Sequence, residues 1–211
     1  MIIGIYGASG FGSEILPLVR KEHPSADLCF IDDGITSRDY LGYRVHSYQG
    51  FLSLPYKSKF VVIAIASGSI RESLSNKLEQ DNINVLSVKA STSISLDNVD
   101  LGKSSILCHF THLTSNIKIG KHFHANIYSY VAHDCVIGDY VTFAPRVHCN
   151  GNVHIEDHAY IGTGAILKQG SPEKPLVIGR GAIVGMGAVV TKSVPPGVVV
   201  IGNPAVILER K

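Results

Sequence analysis

Residues 130–139 read Tyr130-VAHDCVIGD and place His133 beside Asp134. A neutral imidazole near pH 7 is the usual general base. A carboxylate next to it fixes the tautomer and raises the basicity of the other ring nitrogen. By themselves the two residues read first as an exposed surface pair. A second set of residues lies at the start of the chain. Gly7-ASGFG follows the apolar run Ile2–Tyr6 and precedes a helical stretch, and Asp32 and Asp33 come about 20 residues later. Glycines in such a loop let a phosphate approach backbone N–H groups at a helix N-terminus, where Gly7, Ser9 and Gly10 stand. An acidic residue at the next strand end holds a ribose hydroxyl or a base N–H. A tight turn with two solvated aspartates reads the same way, but the order strand, loop, helix favours a nucleotide.

Whatever positions His133 repeats every six residues. From Leu101 the chain divides into Leu101-GKSSI, Leu107-CHFTH, Leu113-TSNIK, Ile119-GKHFH, Ala125-NIYSY and Val131-AHDCV, and the phase holds for eleven units. It breaks near Ser171–Val177 and resumes at Ile178-GRGAI. An apolar residue opens each unit, and the fifth place is mostly small or β-branched. A period of six suits neither an amphipathic helix nor a half-buried strand; it is that of a hexapeptide β-solenoid. Three units make a coil of eighteen residues, and stacked coils bury the opening side chains. Gly102, Gly120 and Gly138 are eighteen apart and are expected at one corner, where glycine tolerates the angles of a tight turn. His133 takes the third place of its unit, where a side chain points outward, while Cys135 takes the inward fifth place and is rejected as a nucleophile. Eight of the ten histidines lie between His109 and His158. The columns His112/His148 and His122/His158 are read mainly as surface features.

Before the hexads, apolar runs at Ile2–Tyr6, Leu28–Ile31, 60–66 and 85–88 read as strands, with helices at about 13–21 and 70–80. That alternation predicts a parallel sheet with right-handed crossovers. The expected organisation is a truncated α/β Rossmann-like domain over residues 1–90 and a parallel β-helix over 91–211.

The 211 residues carry a formal net charge of +2, 17% charged and 45% hydrophobic residues. So weak a charge gives no reason to expect nucleic acid or an acidic membrane as partner. No apolar run approaches the ~20 residues of a membrane helix, and Met1-IIGIYG lacks a basic signal-peptide region. The four cysteines show no CxxC spacing, and a reduced, cytoplasmic setting is the default. No metal is expected.

The hexads, the segment Val131-AHDCVIGD and the stretch Pro195-PGVVVIGNPA resemble the left-handed β-helix acyltransferases. Joined to Gly7-ASGFG, they are similar to the PglD/NeuD type, nucleotide-aminosugar N-acetyltransferases and sialic acid O-acetyltransferases. The resemblance covers essentially the whole chain. It implies left-handed coils, a homotrimer, and acetyl-CoA as acetyl donor in a groove between neighbouring solenoids. His133 becomes the base and Asp134 its support. Asn126 lies near the acceptor sugar, while Gly7, Ser9, Gly10, Asp32 and Asp33 bind its nucleotide. Gly151, Gly162, Thr163 and Gly185 line the CoA groove, together with Thr142, which stands where some members carry a second histidine. The acceptor implied is a UDP- or GDP-linked amino sugar of surface-glycan biosynthesis. Sialic acid O-acetylation is the alternative. Zinc carbonic-anhydrase chemistry on three histidines, or a non-enzymatic scaffold, remains open on the fold alone.

Overall fold

The computed structural model describes residues 1–209. The chain divides into two compact units, Met1–Ala66 with Ile70–Val88, and Ser67–Ser69 with Lys89–Lys211.

In the first unit, β1 (Ile2–Tyr6) is fully buried and pairs in parallel with β2 (Asp27–Ile31) on one side. α1 (Gly10–Glu22) links these two strands and buries Ile15, Leu16, Leu18 and Val19, the i, i+1, i+3, i+4 face that packs on a sheet. A hairpin follows: β3 (Asp39–Tyr40) pairs antiparallel with β4 (Tyr43–His46), turning at Leu41 and Gly42, both at positive φ. After the short α2 (Tyr48–Leu52), β5 (Lys59–Ile63) pairs with the free side of β1. α3 (Gly68–Gln80) leads to β6 (Asn84–Val85), and the sheet order is β3-β4-β2-β1-β5-β6. The order reverses at β1, so the loop after Tyr6 lies at the switch point where open parallel sheets bind ligands.

The helix starts at Gly10, three residues before its expected start at Ser13, because the glycine loop itself forms its first turn. The fourth strand expected over 85–88 is two strands in two sheets. Asn84–Val85 closes the first sheet, whereas Val88–Lys89 opens a solenoid sheet. The hairpin was not anticipated; its strands are short and only half-buried, so alternation is weak.

In the second unit, short parallel strands stack into three sheets. The first contains His124–Ala125, Thr142–Phe143, Tyr160–Ile161 and Ile183–Val184; the second His112–Leu113, Tyr130–Val131, His148–Cys149 and Ile166–Leu167; the third Ile117–Ile119, Val136–Ile137, Val153–Ile155 and Leu176–Ile178. Register advances by one coil of 18 residues, as in His124↔Thr142, and by 23 across the interruption, as in Tyr160↔Ile183. The break near Ser171 is thus a five-residue insertion that leaves the phase of the sheets intact. First-place residues such as Leu107, Ile119, Phe143 and Ile161 and fifth-place residues such as Ile117, Cys135 and Val147 form one continuous core. Each aliphatic side chain fully buried there contributes roughly 1.5–3 kcal/mol.

The turn chemistry departs from expectation. Ten fourth-place residues from Ser104 to His158 have φ between 55° and 61°, and Gly164 continues the series. The left-handed corner is therefore at the fourth place, and largely without glycine. Gly102, Gly120 and Gly138 do stack along one corner, but for closeness, not turn angles: a Cβ on Gly102 would stand 2.4 Å from the backbone of Gly120. Identical fourth-place angles align side chains coil over coil, so His122 stacks on Tyr140 and Tyr140 on His158, with ring centroids 4.9 and 5.3 Å apart. This corrects the reading of His122 as a surface residue. It is 1% exposed inside that pile, and His124 is equally buried.

Candidate active site

His133 sits on the corner between the second and third sheets, just after the strand Tyr130–Val131. Its Nδ1 lies 2.7 Å from Asp134 Oδ2, and the two side chains are 50% and 47% exposed. Hydrogen bonding, first with His133 and then with the Asn116 amide, holds the Asp134 carboxyl below its usual range. A carboxylate only accepts, so Nδ1 is the donor in this contact, and in a neutral ring the lone pair is then on Nε2. Asp134 owes its placement to φ 58°, a left-handed conformation that Asp and Asn adopt more readily than most residues.

Gly151 is one coil beyond His133, and the imidazole lies against it. A Cβ at Gly151 would stand 2.5 Å from Cε1 and 2.6 Å from Nε2. Glycine here leaves room both for the ring and for an atom approaching Nε2. Cys135 turns inward, 0% exposed, with its thiol 3.2 Å from the Asn150 carbonyl, which suits a core residue.

The N-terminal loop is built around two close approaches. Gly7 has φ 112°, and a Cβ on Gly12 would stand 2.0 Å from the Gly7 carbonyl oxygen, so helix and strand meet only through glycine. Gly10 has no such need: a Cβ there meets nothing within 4 Å. Ser9 is the N-cap residue, but its hydroxyl makes no capping hydrogen bond. Asp32 accepts from the Ala8 N–H at 3.0 Å and from the Gly34 N–H at 2.9 Å. Asp33 accepts from the Tyr6 hydroxyl at 2.6 Å and from the Tyr48 N–H at 2.8 Å. Burial opposes ionisation of Asp33, but the Tyr6 hydroxyl, the Tyr48 N–H and the Lys77 ammonium outweigh it and lower its pKa. Both carboxylates thus brace the loop, and neither is simply solvated.

Residues 2–78 match the PglD N-terminal domain. Over 99% of this chain and 97% of the relative, the sequence is 47% identical to GDP-perosamine N-acetyltransferase of Escherichia coli O157:H7. The chain belongs to the PglD/NeuD family of left-handed β-helix acetyltransferases. Among solved structures, WeeI from Acinetobacter baumannii AYE superposes with a TM-score of 0.97 at 64% identity, covering 99% of this chain and 100% of that one. PerB from Caulobacter crescentus, solved in complex with CoA and GDP-perosamine, shares the fold with a TM-score of 0.88 at 22% identity over 99% and 98% of the two chains. No helix among the described residues is long and apolar enough to cross a membrane.

In this acetyltransferase the expected solenoid site residues fall on two corners. His133, Asp134 and Gly151 share the corner after the second sheet. Asn126, Gly162, Thr163 and Gly185 follow strands of the first sheet and line a different corner. Asn126 donates its amide to the Phe143 carbonyl at 2.9 Å, and Thr163 is exposed. Thr142 belongs to neither corner: it lies within a first-sheet strand and is 2% exposed. Sequence reasoning missed Asn116, which donates to Asp134 Oδ1 at 3.3 Å. The signal was present in the spacing, because Asn98, Asn116, Asp134 and Asn152 are eighteen apart.

Proposed function

We propose that this protein transfers the acetyl group of acetyl-CoA to the amine of a GDP-linked amino sugar such as GDP-perosamine. The observation that carries the reading is the 47% identity to a GDP-perosamine N-acetyltransferase along essentially the whole of both chains. The geometry of His133 supplies a chemical rationale. The neutral amine attacks the thioester carbonyl, and His133 Nε2 takes the amine proton as the C–N bond forms. The oxyanion is held by backbone N–H donors of a solenoid corner. It collapses with cleavage of the C–S bond, and the proton passes from the imidazolium to the departing thiolate, giving amide and CoA. Asp134 keeps Nδ1 protonated and so leaves Nε2 to take the amine proton and to give it up again. No covalent acyl-enzyme is needed.

The unit formed mainly by residues 1–88 takes the role of nucleotide binder, through the loop at the β1 switch point. The solenoid takes the chemistry. That His133 and the Asn126–Gly162–Gly185 column occupy different corners supports a homotrimer. A heterologous ring contact sets one corner of a subunit against another corner of its neighbour and completes a shared groove. Sedimentation equilibrium is expected to give three times the chain mass; a monomer at micromolar concentration refutes this arrangement.

Release of free CoA thiol, followed with GDP-perosamine, UDP-linked amino sugars and free sialic acid as acceptors, tests the function. GDP-perosamine is expected to be turned over far faster than the others. Preferential turnover of sialic acid would assign the protein to O-acetylation instead.

A further inference from the structure

The left-handed fourth-place residues make a polar ladder on the His133 corner. Asn98, Asn116 and Asp134 have φ of 56°, 57° and 58°, so their side chains leave successive coils in the same direction. Asn98 Nδ2 donates to Asn116 Oδ1 at 3.1 Å. Asn116 Nδ2 donates in turn to Asp134 Oδ1 at 3.3 Å, and Asp134 Oδ2 meets His133 Nδ1 at 2.7 Å. The ladder has one direction. A carboxylate has no hydrogen to give, so Asn116 must turn its NH2 toward Asp134, and only its oxygen remains for Asn98. Each carboxylate oxygen then has its own partner, one the asparagine and the other the histidine. With both oxygens engaged, rotation of the Asp134 side chain breaks a hydrogen bond on either side.

We infer that Asn116 is a positioning residue for the base: its amide, oriented by Asn98, fixes the Asp134 carboxylate that holds the His133 ring. The inference rests on His133 acting as the base in the reaction proposed above. It extends the site along the solenoid axis by one coil for Asn116 and a second for Asn98, about 5 Å each. Asn116 does not touch the reacting atoms in this arrangement; it acts only through Asp134.

The test is a double-mutant cycle with Asn116→Gly and Asp134→Ala. Glycine accepts the left-handed backbone of position 116, so the substitution removes the amide without straining the corner. Asn116→Gly is expected to lower kcat roughly fivefold to tenfold, as for loss of a partly exposed hydrogen bond to a charged group, and to leave the KM for acetyl-CoA unchanged. In the Asp134→Ala background the same substitution is expected to cost nothing further, because the group it acts through is gone. Asn116→Asp provides a second probe. It keeps the left-handed preference and the shape but replaces the N–H donor by a like charge, so it is expected to lower kcat at least as much as glycine does. An equal loss from Asn116→Gly in both backgrounds overturns the inference, and so does wild-type kcat for both Asn116 variants. The prior assignment fails separately: full turnover by His133→Ala refutes the base itself, whereas an inactive His133→Ala with additive Asn116 and Asp134 effects refutes only the ladder.

Discussion

Gly151→Ala is the smallest change that reaches the proposed base. The added Cβ would stand 2.5 Å from His133 Cε1, 2.6 Å from Nε2 and 3.0 Å from Nδ1, against an ordinary contact of 3.4–4 Å. Gly151 is buried in the bend between the strands His148–Cys149 and Val153–Ile155, with its carbonyl accepting from the Gly170 N–H at 3.0 Å, whereas the ring is the outer end of a half-exposed side chain, so the ring gives way, by about 1 Å. That movement stretches or breaks the 2.7 Å bond to Asp134 and fills the space beside Nε2. A misplacement of about 1 Å at a reacting group costs on the order of 10²-fold. Gly151→Ala is therefore expected to lower kcat with GDP-perosamine about 100-fold. The melting temperature is expected to change little, because the ring moves toward solvent. Steady-state rates at saturating acetyl-CoA, with a thermal melt on the same preparation, measure both. Wild-type kcat with a correctly folded variant would refute the placement of the reacting amine next to His133 Nε2. A collapse of the melting temperature would refute the premise that only the ring yields.

Gly10→Val adds a side chain where nothing stands within 4 Å, so the fold is expected to survive. If the loop binds the nucleotide, the acceptor KM rises at least tenfold while the acetyl-CoA KM stays constant; equal effects on both substrates contradict that role. The lowered pKa of Asp33 links stability to pH with a definite sign. A carboxyl with a depressed folded-state pKa contributes fully above the ordinary carboxylate range, and the contribution is lost as pH falls through the lowered value. Asp33→Asn is therefore expected to lower the melting temperature by about 2–4 °C at pH 7 and to make no difference in acid below that pKa. The same decrement at both pH values would mean that the hydrogen bonds from Tyr6 and Tyr48 do not depend on the charge.

The solenoid was legible because its core is periodic in sequence. First- and fifth-place side chains are buried, and burial restricts residue type. The corner conformation was not, because Phe110, His122, Tyr128 and Arg146 share positive φ with Asn116 and Asp134. Those types do not advertise a left-handed backbone. The corner is imposed by the coil and supported by stacking between coils, such as Phe110 on Tyr128 with centroids 5.0 Å apart. The outward position of His133 followed from its place in the hexad. Its pairing with Gly151 follows only when the coil length is applied to the site, and the asparagine ladder is found the same way. In the first unit the glycine loop was evident from composition. The use of Asp32 and Asp33 as braces was not, because their partners are mainly backbone N–H groups and a tyrosine distant in sequence. The 85–88 run misled because Val85, Leu86 and Val88 give it the look of one strand, yet the chain passes from one sheet to another within it.

The most direct measurement is the pH dependence of kcat for His133→Ala beside the unaltered protein, with GDP-perosamine and acetyl-CoA. General-base assistance is worth about 10²–10⁴-fold, so the variant is expected to lose about that much. The rise of rate with pH through a single ionisation in the unaltered protein is expected to vanish. Acetyl-CoA affinity is expected to hold, since the missing interaction acts in the transition state. Near-normal turnover by His133→Ala across pH 6–9, with the same pH profile, would contradict the assignment of His133 as the base.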